Sequence, residues 1–466
     1  MLRFLCYLRG AVWLLVLLCF SATAWAQGNA PLRAGIWRGK MQAGATELPL
    51  IFHIAEAANG ARTATLDSPN QNAYGLPVEK VTQRADSVIL QLTRPAARFA
   101  GRVVGGGKQL EGAWLQAGRS FPLTLAHQAG ATANRPQEPK APFPYHSEEV
   151  TFSNAKTNIK LAGTVTTPAG KGPFPAVVLV TGSGPQDRDE TVFGHKPFWV
   201  LADYLTRRGY VVLRYDDRGV GKSGGTTTSY TTADGVTDAQ AALAYLRTRP
   251  EVQARQAGLL GHSEGAMIGL IAATEPNPPA FLIALAGPAV RGLEFMLRQA
   301  EDLGRASGMS PDQVASARAL NQQVYMTVLQ TPDKAQANER VIALMKQAGL
   351  SAAQAQQQAA VLTTAWYRQL LAFDPQPLLP KVKCPVLALN GGKDLQVAAS
   401  VNLPAWEQGV RAGGNQDVTV QELTGLNHLF QTANTGLSQE YGQIEETFSP
   451  TALQAIGDWL ARHTKR

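Results

Sequence analysis

Gly258-Leu259-Leu260-Gly261-His262-Ser263-Glu264-Gly265-Ala266 is the stretch on which the reading of this chain turns. Residues 261–265 have the pattern G-x-S-x-G. An apolar run (Ala257, Leu259, Leu260) precedes them and a helical-looking run from Ala266 to Ala273 follows, so the pentapeptide falls between a strand and a helix. A sharp turn there strains the serine backbone, and Gly261 and Gly265 let strand and helix pack closely. The Ser263 hydroxyl is then held above a sheet edge at the N-terminal end of a helix, where developing negative charge is stabilised. Glycine is common enough that the pentapeptide alone is a weak signal; its flanks and its downstream partners decide the matter.

Continuous apolar runs lie on either side, at 175–180, 210–215, 281–286, 386–390 and 418–423. They read as strands buried on both faces, and they alternate with helical patterns at 198–208 and 237–249, which predicts a mostly parallel α/β sheet. A lead-in hairpin is expected at 151–153 and 159–166. Between the strands ending near Gly287 and starting near Pro385 lies an Ala/Gln/Leu-rich insertion. Its helical segments are 293–307, 311–329, 334–348 and 352–373, punctuated by Gly308, Pro332 and Gly349. The core is therefore read as 149–288 and 378–466, with a helical cap over 289–377. Met296, Met309, Met326, Met345, Tyr325 and Tyr367 stripe that insertion; such stripes are usually core, but here a cap excluding water from a site is expected.

Residues 27–130 read as a small all-β domain, a barrel or sandwich. Short strands at 48–54, 63–66, 87–92 and 123–125 are broken by glycine turns such as 105–107. This part holds no evident catalytic cluster, and His53 reads as a strand residue. Residues 131–148 carry Pro136, Pro139, Pro142 and Pro144 and read as a semi-rigid linker. At the start, Arg3 and Arg9 form a positive stretch before an apolar segment from Ala11 to Phe20, which is followed by Ala24-Trp25-Ala26. Residues 1–26 are expected to be a signal peptide cleaved after Ala26, giving a periplasmic or secreted chain with no stable membrane insertion. Cleavage removes Cys6 and Cys19, leaving Cys384 without an intrachain partner; it reads as a packed thiol. No Cys/His cluster has zinc-ligand spacing, so neither metal nor cofactor is expected. The formal charge of +8 is scattered along the chain without basic runs, which argues against a nucleic-acid partner.

A serine hydroxyl is a poor nucleophile until a base takes its proton, and the base needs an acid to hold its tautomer. After the 386–390 run comes Gly391-Gly392-Lys393-Asp394; after 418–423 comes Thr424-Gly425-Leu426-Asn427-His428. Each places its functional group at the carboxyl end of a strand, where ligands gather in open parallel sheets. Taken alone, Asp394 reads as a turn-capping aspartate and His428 as a packed histidine. Together with Ser263 they read as a catalytic triad. His262 neighbours the nucleophile but points away in such a turn, His195 precedes a helix, and His463 is near the terminus. The candidate oxyanion donors are the backbone N–H of Glu264 and one from Gly182-Ser183-Gly184, with Ser183 favoured.

These motifs, with Asp216-Asp217-Arg218-Gly219-Val220-Gly221-Lys222-Ser223, resemble the α/β-hydrolase superfamily. Gly182-Ser183-Gly184-Pro185-Gln186-Asp187-Arg188-Asp189 with Gly261 to Gly265 is similar, more narrowly, to bacterial esterases grouped with the serine aminopeptidase-like hydrolases. The resemblance runs from about Val150 to the end, the cap excepted. It implies carboxylester hydrolysis with Ser263, Asp394 and His428 as the triad and a small-molecule ester as substrate. Thr181 stands where many members have a histidine. Two other functions compete: a peptidase or amidase, with Glu264, Asp187, Asp189 or Glu440 binding a substrate amino group, and a non-catalytic envelope binding protein.

Overall fold

The computed structural model describes residues 31–464 apart from 44–45, 57–59, 61, 69–72, 93–95, 117 and 129–134. The expected signal peptide, Cys6, Cys19 and the first part of the expected linker lie outside the described residues. The chain forms two compact units, residues up to Ala64 with 77–128, and residues 65–76 with 129–466.

The N-terminal strands are β1 (Gly35–Ala43), β2 (Thr46–Glu56), β3 (Arg62–Ser68), β4 (Ala73–Val78), β5 (Lys80–Arg84), β6 (Ser87–Leu92), β7 (Ala97–Val104), β8 (Gln109–Gln116) and β9 (Arg119–Gln128). They form one sheet in the order β4-β3-β2-β1-β9-β8-β7-β6-β5. The ladders β1–β2, β1–β9 and those from β5 through β9 are antiparallel. The two ends of the order, β4 and β5, are separated in the chain by Glu79 alone, so both edges of the sheet fall on one stretch of backbone. Alternation fills the inner face: Val88, Leu90 and Leu92 of β6 are buried, as are Phe52, Phe99 and Trp114, whose rings meet at 6.1–6.4 Å.

The second unit begins with β10 (Tyr145–Asn154), β11 (Ile159–Pro168) and β12 (Phe174–Val180), followed by α1 (Pro197–Arg207), β13 (Val211–Tyr215), α2 (Thr232–Arg247), β14 (Val252–His262), α3 (Glu264–Ala272) and β15 (Leu282–Leu285). The insertion contains α4 (Gly292–Ala306), α5 (Pro311–Gln330), α6 (Lys334–Gln347), α7 (Ala352–Leu362) and α8 (Ala365–Ala372). Last come β16 (Val386–Gly391), α9 (Ala399–Ala412), β17 (Val418–Leu423), α10 (Ser438–Tyr441) and α11 (Pro450–His463). The sheet order is β10-β11-β13-β12-β14-β15-β16-β17. β10 and β11 enter antiparallel, and every pairing from β13 onward is parallel.

Both faces of this sheet are covered, which is why its strands are apolar without alternation. Val178, Val180 and Leu259 pack with α2, α3 and α9 on one face, and Val177, Leu179 and Leu260 pack with α1 and α11 on the other. α2 starts earlier than its apolar pattern suggested because Thr231 and Asp234 form a reciprocal capping box; such a cap contributes about 1 kcal/mol. The helix expected over 352–373 is two helices. Thr364 leaves the helical region and its hydroxyl accepts the Tyr367 N–H, which ends α7 and starts α8. The insertion has its own apolar core, in which Phe295, Met296, Tyr325, Met345 and Tyr367 are buried.

Candidate active site

β14 ends at His262 and α3 begins at Glu264, so Ser263 is the whole turn, with φ 54° and ψ −115°. A non-glycine residue there costs on the order of 1–3 kcal/mol and persists only when its surroundings impose it. Three features impose it. The Ser263 N–H donates to Leu285 O on β15 at 2.8 Å. A Cβ at Gly261 would collide with the Gly265 carbonyl, and one at Gly265 with the Val180 carbonyl on β12.

Asp394 follows β16 and is held in a turn by its own N–H to Gly391 O. One carboxylate oxygen accepts the N–H groups of Gln396 (2.8 Å) and Val397 (2.9 Å); the other lies 2.9 Å from His428 Nδ1. The Asp394 side chain is fully buried and that of His428 is 6% exposed. With Nδ1 donating to Asp394, His428 Nε2 is left as an acceptor. The loop carrying His428 is clamped by Asn427, whose side-chain oxygen accepts the N–H groups of Leu429 and Gln431.

Ser263 and His428 line one cavity of about 410 Å³. Among the hydrogen bonds of the described residues, none joins the two. A serine hydroxyl rotates freely, and contacts of this kind commonly tighten only when substrate is bound. The insertion supplies Phe295, Met296, Leu303, Trp366, Tyr367 and Leu370 to the wall. The expected oxyanion residues are here too. Glu264 is the first residue of α3, so its N–H has no acceptor within the helix. The Gly182 N–H is committed to Glu190 Oε1 at 2.8 Å, which leaves Ser183 as the next donor along that loop. The Glu264 side chain turns inward, 1% exposed, and accepts from the Thr232 hydroxyl (2.8 Å) and Trp366 Nε1 (2.9 Å). Burial raises its pKa, against the pull of hydrogen bonds from Thr232, Trp366 and Ser183.

The other acids considered for amine binding are engaged elsewhere. Asp187 accepts from the backbone of Asp189 and Thr191, Asp189 pairs with Arg214, and Glu440 accepts the N–H groups of Asn434, Thr435 and Gly436. Competing histidines have structural partners: His195 is buried between the Thr447 hydroxyl and the Tyr441 carbonyl, and His463 stacks on Trp459. Burial pushes the Cys384 thiol up to about 12, so it is no nucleophile at neutral pH. No cluster of three or more metal-ligating side chains occurs among the described residues.

A family model for serine aminopeptidases, S33, matches residues 198–432, half of the chain. The chain belongs to this family. It is thus an α/β-hydrolase, and the matched span takes in Ser263, Asp394 and His428 but not the 182–190 loop. Esterase EstD of Thermotoga maritima is 28% identical over 273 residues, 58% of this chain, and the match spans 58% of that esterase's length. Among solved structures, an esterase of Pyrococcus furiosus has a TM-score of 0.42 at 15% identity, covering 72% of this chain and 100% of its own. The α/β hydrolase GrgF of Penicillium has a TM-score of 0.41 at 18% identity, with coverage of 68% and 99%.

Sequence reasoning missed Glu190, one residue beyond the quoted loop. It is 3% exposed and has φ 53°. Its Oε1 lies 3.0 Å from His262 Nδ1, and His262 Nε2 lies 2.9 Å from the His428 carbonyl oxygen. His262 lines the same cavity as Ser263, but both of its ring nitrogens face protein groups. Sequence reasoning also missed Trp366, whose ring is fixed to Glu264. Neither residue carries a local signal.

Proposed function

We propose that the protein is a serine carboxylesterase acting on small to medium acyl esters. One observation carries the reading: a buried Asp394–His428 pair, bonded at 2.9 Å, opens on the same cavity as the strained Ser263. Ser263 Oγ attacks the ester carbonyl as its proton passes to His428 Nε2. The N–H groups of Glu264 and Ser183 receive the tetrahedral oxyanion. Collapse expels the alcohol, which takes the proton from His428, and leaves an acyl-enzyme. Water then attacks, giving its proton to His428, and the acid departs as Ser263 recovers its hydrogen. Asp394 holds the tautomer and stabilises the imidazolium.

The cavity chemistry favours an ester over a peptide with a free amino terminus. An aminopeptidase must pair a substrate ammonium with an uncommitted acid. The two carboxylates that line this cavity, Glu190 and Glu264, are buried and hydrogen-bonded to protein groups. The apolar wall from the insertion suits an acyl chain. Turnover of p-nitrophenyl acyl esters against aminoacyl-anilides tests the preference; faster anilide hydrolysis would reject it. Ser263→Ala should lower ester turnover by on the order of 10⁵-fold or more without unfolding the chain, and an unchanged rate would overturn the triad. The N-terminal segment supports export to the periplasm or medium after cleavage at Ala26, checked by the N-terminus of the exported protein. The partner is a small ester, with no nucleic acid and no stable membrane insertion.

A further inference from the structure

The loops after β12, β14 and β17 bring the candidate oxyanion donors, the nucleophile and the imidazole to one place, and a single buried connection runs through all three. Glu190 Oε1 accepts the Gly182 N–H at 2.8 Å and faces His262 Nδ1 at 3.0 Å; His262 Nε2 faces the His428 carbonyl at 2.9 Å. The rings of His262 and His428 are tilted at 47° to each other with centroids 4.8 Å apart. The carbonyl has only lone pairs to offer, and an ionised Glu190 likewise. Both ring nitrogens of His262 must then donate, which requires the imidazolium form. With both nitrogens committed, His262 cannot take the Ser263 proton.

We propose that Glu190 and His262 form a buried ion pair that positions the Gly182–Ser183 loop and the His428 loop around Ser263. They are positioning residues, and their role rests on the reading of Ser263, Asp394 and His428 as the triad. Burying the imidazole would by itself lower its proton affinity; the Glu190 charge and hydrogen bond, the His428 carbonyl and the Asp394 charge outweigh this, and the pKa is raised. Glu190, Asp394 and His428 are the titratable groups facing the ring. The pair explains two local features. Glu190 is in the left-handed region, a strained conformation for a glutamate. The pentapeptide also carries a histidine beside the serine that takes no part in proton transfer. The positioning acts through the backbone of residue 428, so its loss shifts the imidazole relative to Ser263 while leaving the acyl wall intact.

The test compares full-length wild type with Glu190→Gln, His262→Gln and Ser263→Ala on a p-nitrophenyl ester. Glu190→Gln keeps an acceptor for Gly182 but removes the charge. It should lower kcat by on the order of 10- to 100-fold, the scale of a small misplacement of reacting groups, with KM within about twofold. Glu190→Ala should be worse, so partial rescue by glutamine marks positioning. In the ¹⁵N-histidine spectrum of the wild type at pH 8, one imidazole should be protonated at both nitrogens. Its signal should be missing in His262→Gln and neutral in Glu190→Gln. A wild-type kcat in Glu190→Gln, or no imidazolium at pH 8, overturns the proposal. The spectrum decides by itself if the glutamine variant does not fold. Ser263→Ala with undiminished turnover would instead sink the triad reading, so the two failures are distinct.

Discussion

At the scale of single residues, the site is set by which lone pairs remain unclaimed. Asp394 spends one oxygen on Gln396 and Val397 and keeps the other for His428. Asp394→Asn preserves the shape and the first set of bonds. However, its amide nitrogen facing Nδ1 would force the proton onto Nε2, where it blocks acceptance from Ser263. We expect kcat to fall by on the order of 10⁴-fold with little change in the thermal midpoint. A variant that loses both together would mark Asp394 as structural. The same accounting separates His428 from His195 and His463, whose ring nitrogens are bonded away from the cavity. Ser263, Asp394 and His428 were legible in the sequence because each follows an apolar strand, and strand ends are a local signal. Glu190 was not, because an acid one residue beyond a polar loop looks like any solvated charge.

Among the elements, the break between α7 and α8 has the largest consequence for the site. Thr364 caps α8, and two residues later Trp366 reaches the elbow, where Nε1 binds Glu264. Trp366 lines the 410 Å³ cavity and also a second one of about 340 Å³, bounded by Gly184, Pro185, Tyr230 and Val361. It is a wall shared by both. Trp366→Ala should join the two spaces and raise kcat/KM for long acyl esters relative to short ones by on the order of 10-fold. Trp366→Phe should lose the Glu264 bond but keep the wall, leaving the chain-length ratio near that of the wild type. A chain-length profile of both variants checks this; identical profiles in alanine variant and wild type would show that the ring does not divide the spaces. A single helix over 352–373 was the natural sequence reading, because Thr363-Thr364 interrupts the helical pattern without glycine or proline.

For the whole molecule, buried titratable groups in the loops also make stability depend on pH. Burial pushes Asp217 up to about 8 from 3.8, while bonds from the Gln186 N–H and Thr181 hydroxyl pull the other way. The folded chain thus keeps a proton that the unfolded chain releases above about pH 4. That stabilisation is complete below about pH 4 and is lost as pH rises through about 8. Asp217→Asn, a mimic of the protonated group, should gain on the wild type in thermal midpoint between pH 4 and 8.5; parallel midpoints would mean that Asp217 ionises normally in the fold. His195 has the opposite sign: burial, with the charge of Arg135, lowers it to about 4 from 6.5. Its contribution is present above about pH 6.5 and is lost as pH falls toward 4. The amino-acid order alone determined the parallel sheet, the helical insertion and the positions of Ser263, Asp394 and His428, because apolar runs and the polar loops ending them are written within a few neighbouring residues. Only the tertiary structure decided that Glu190 meets His262, that His262 grips the His428 backbone and that Trp366 meets Glu264. These partners are 72, 166 and 102 positions apart, and no periodicity reports a hydrogen bond made across that separation.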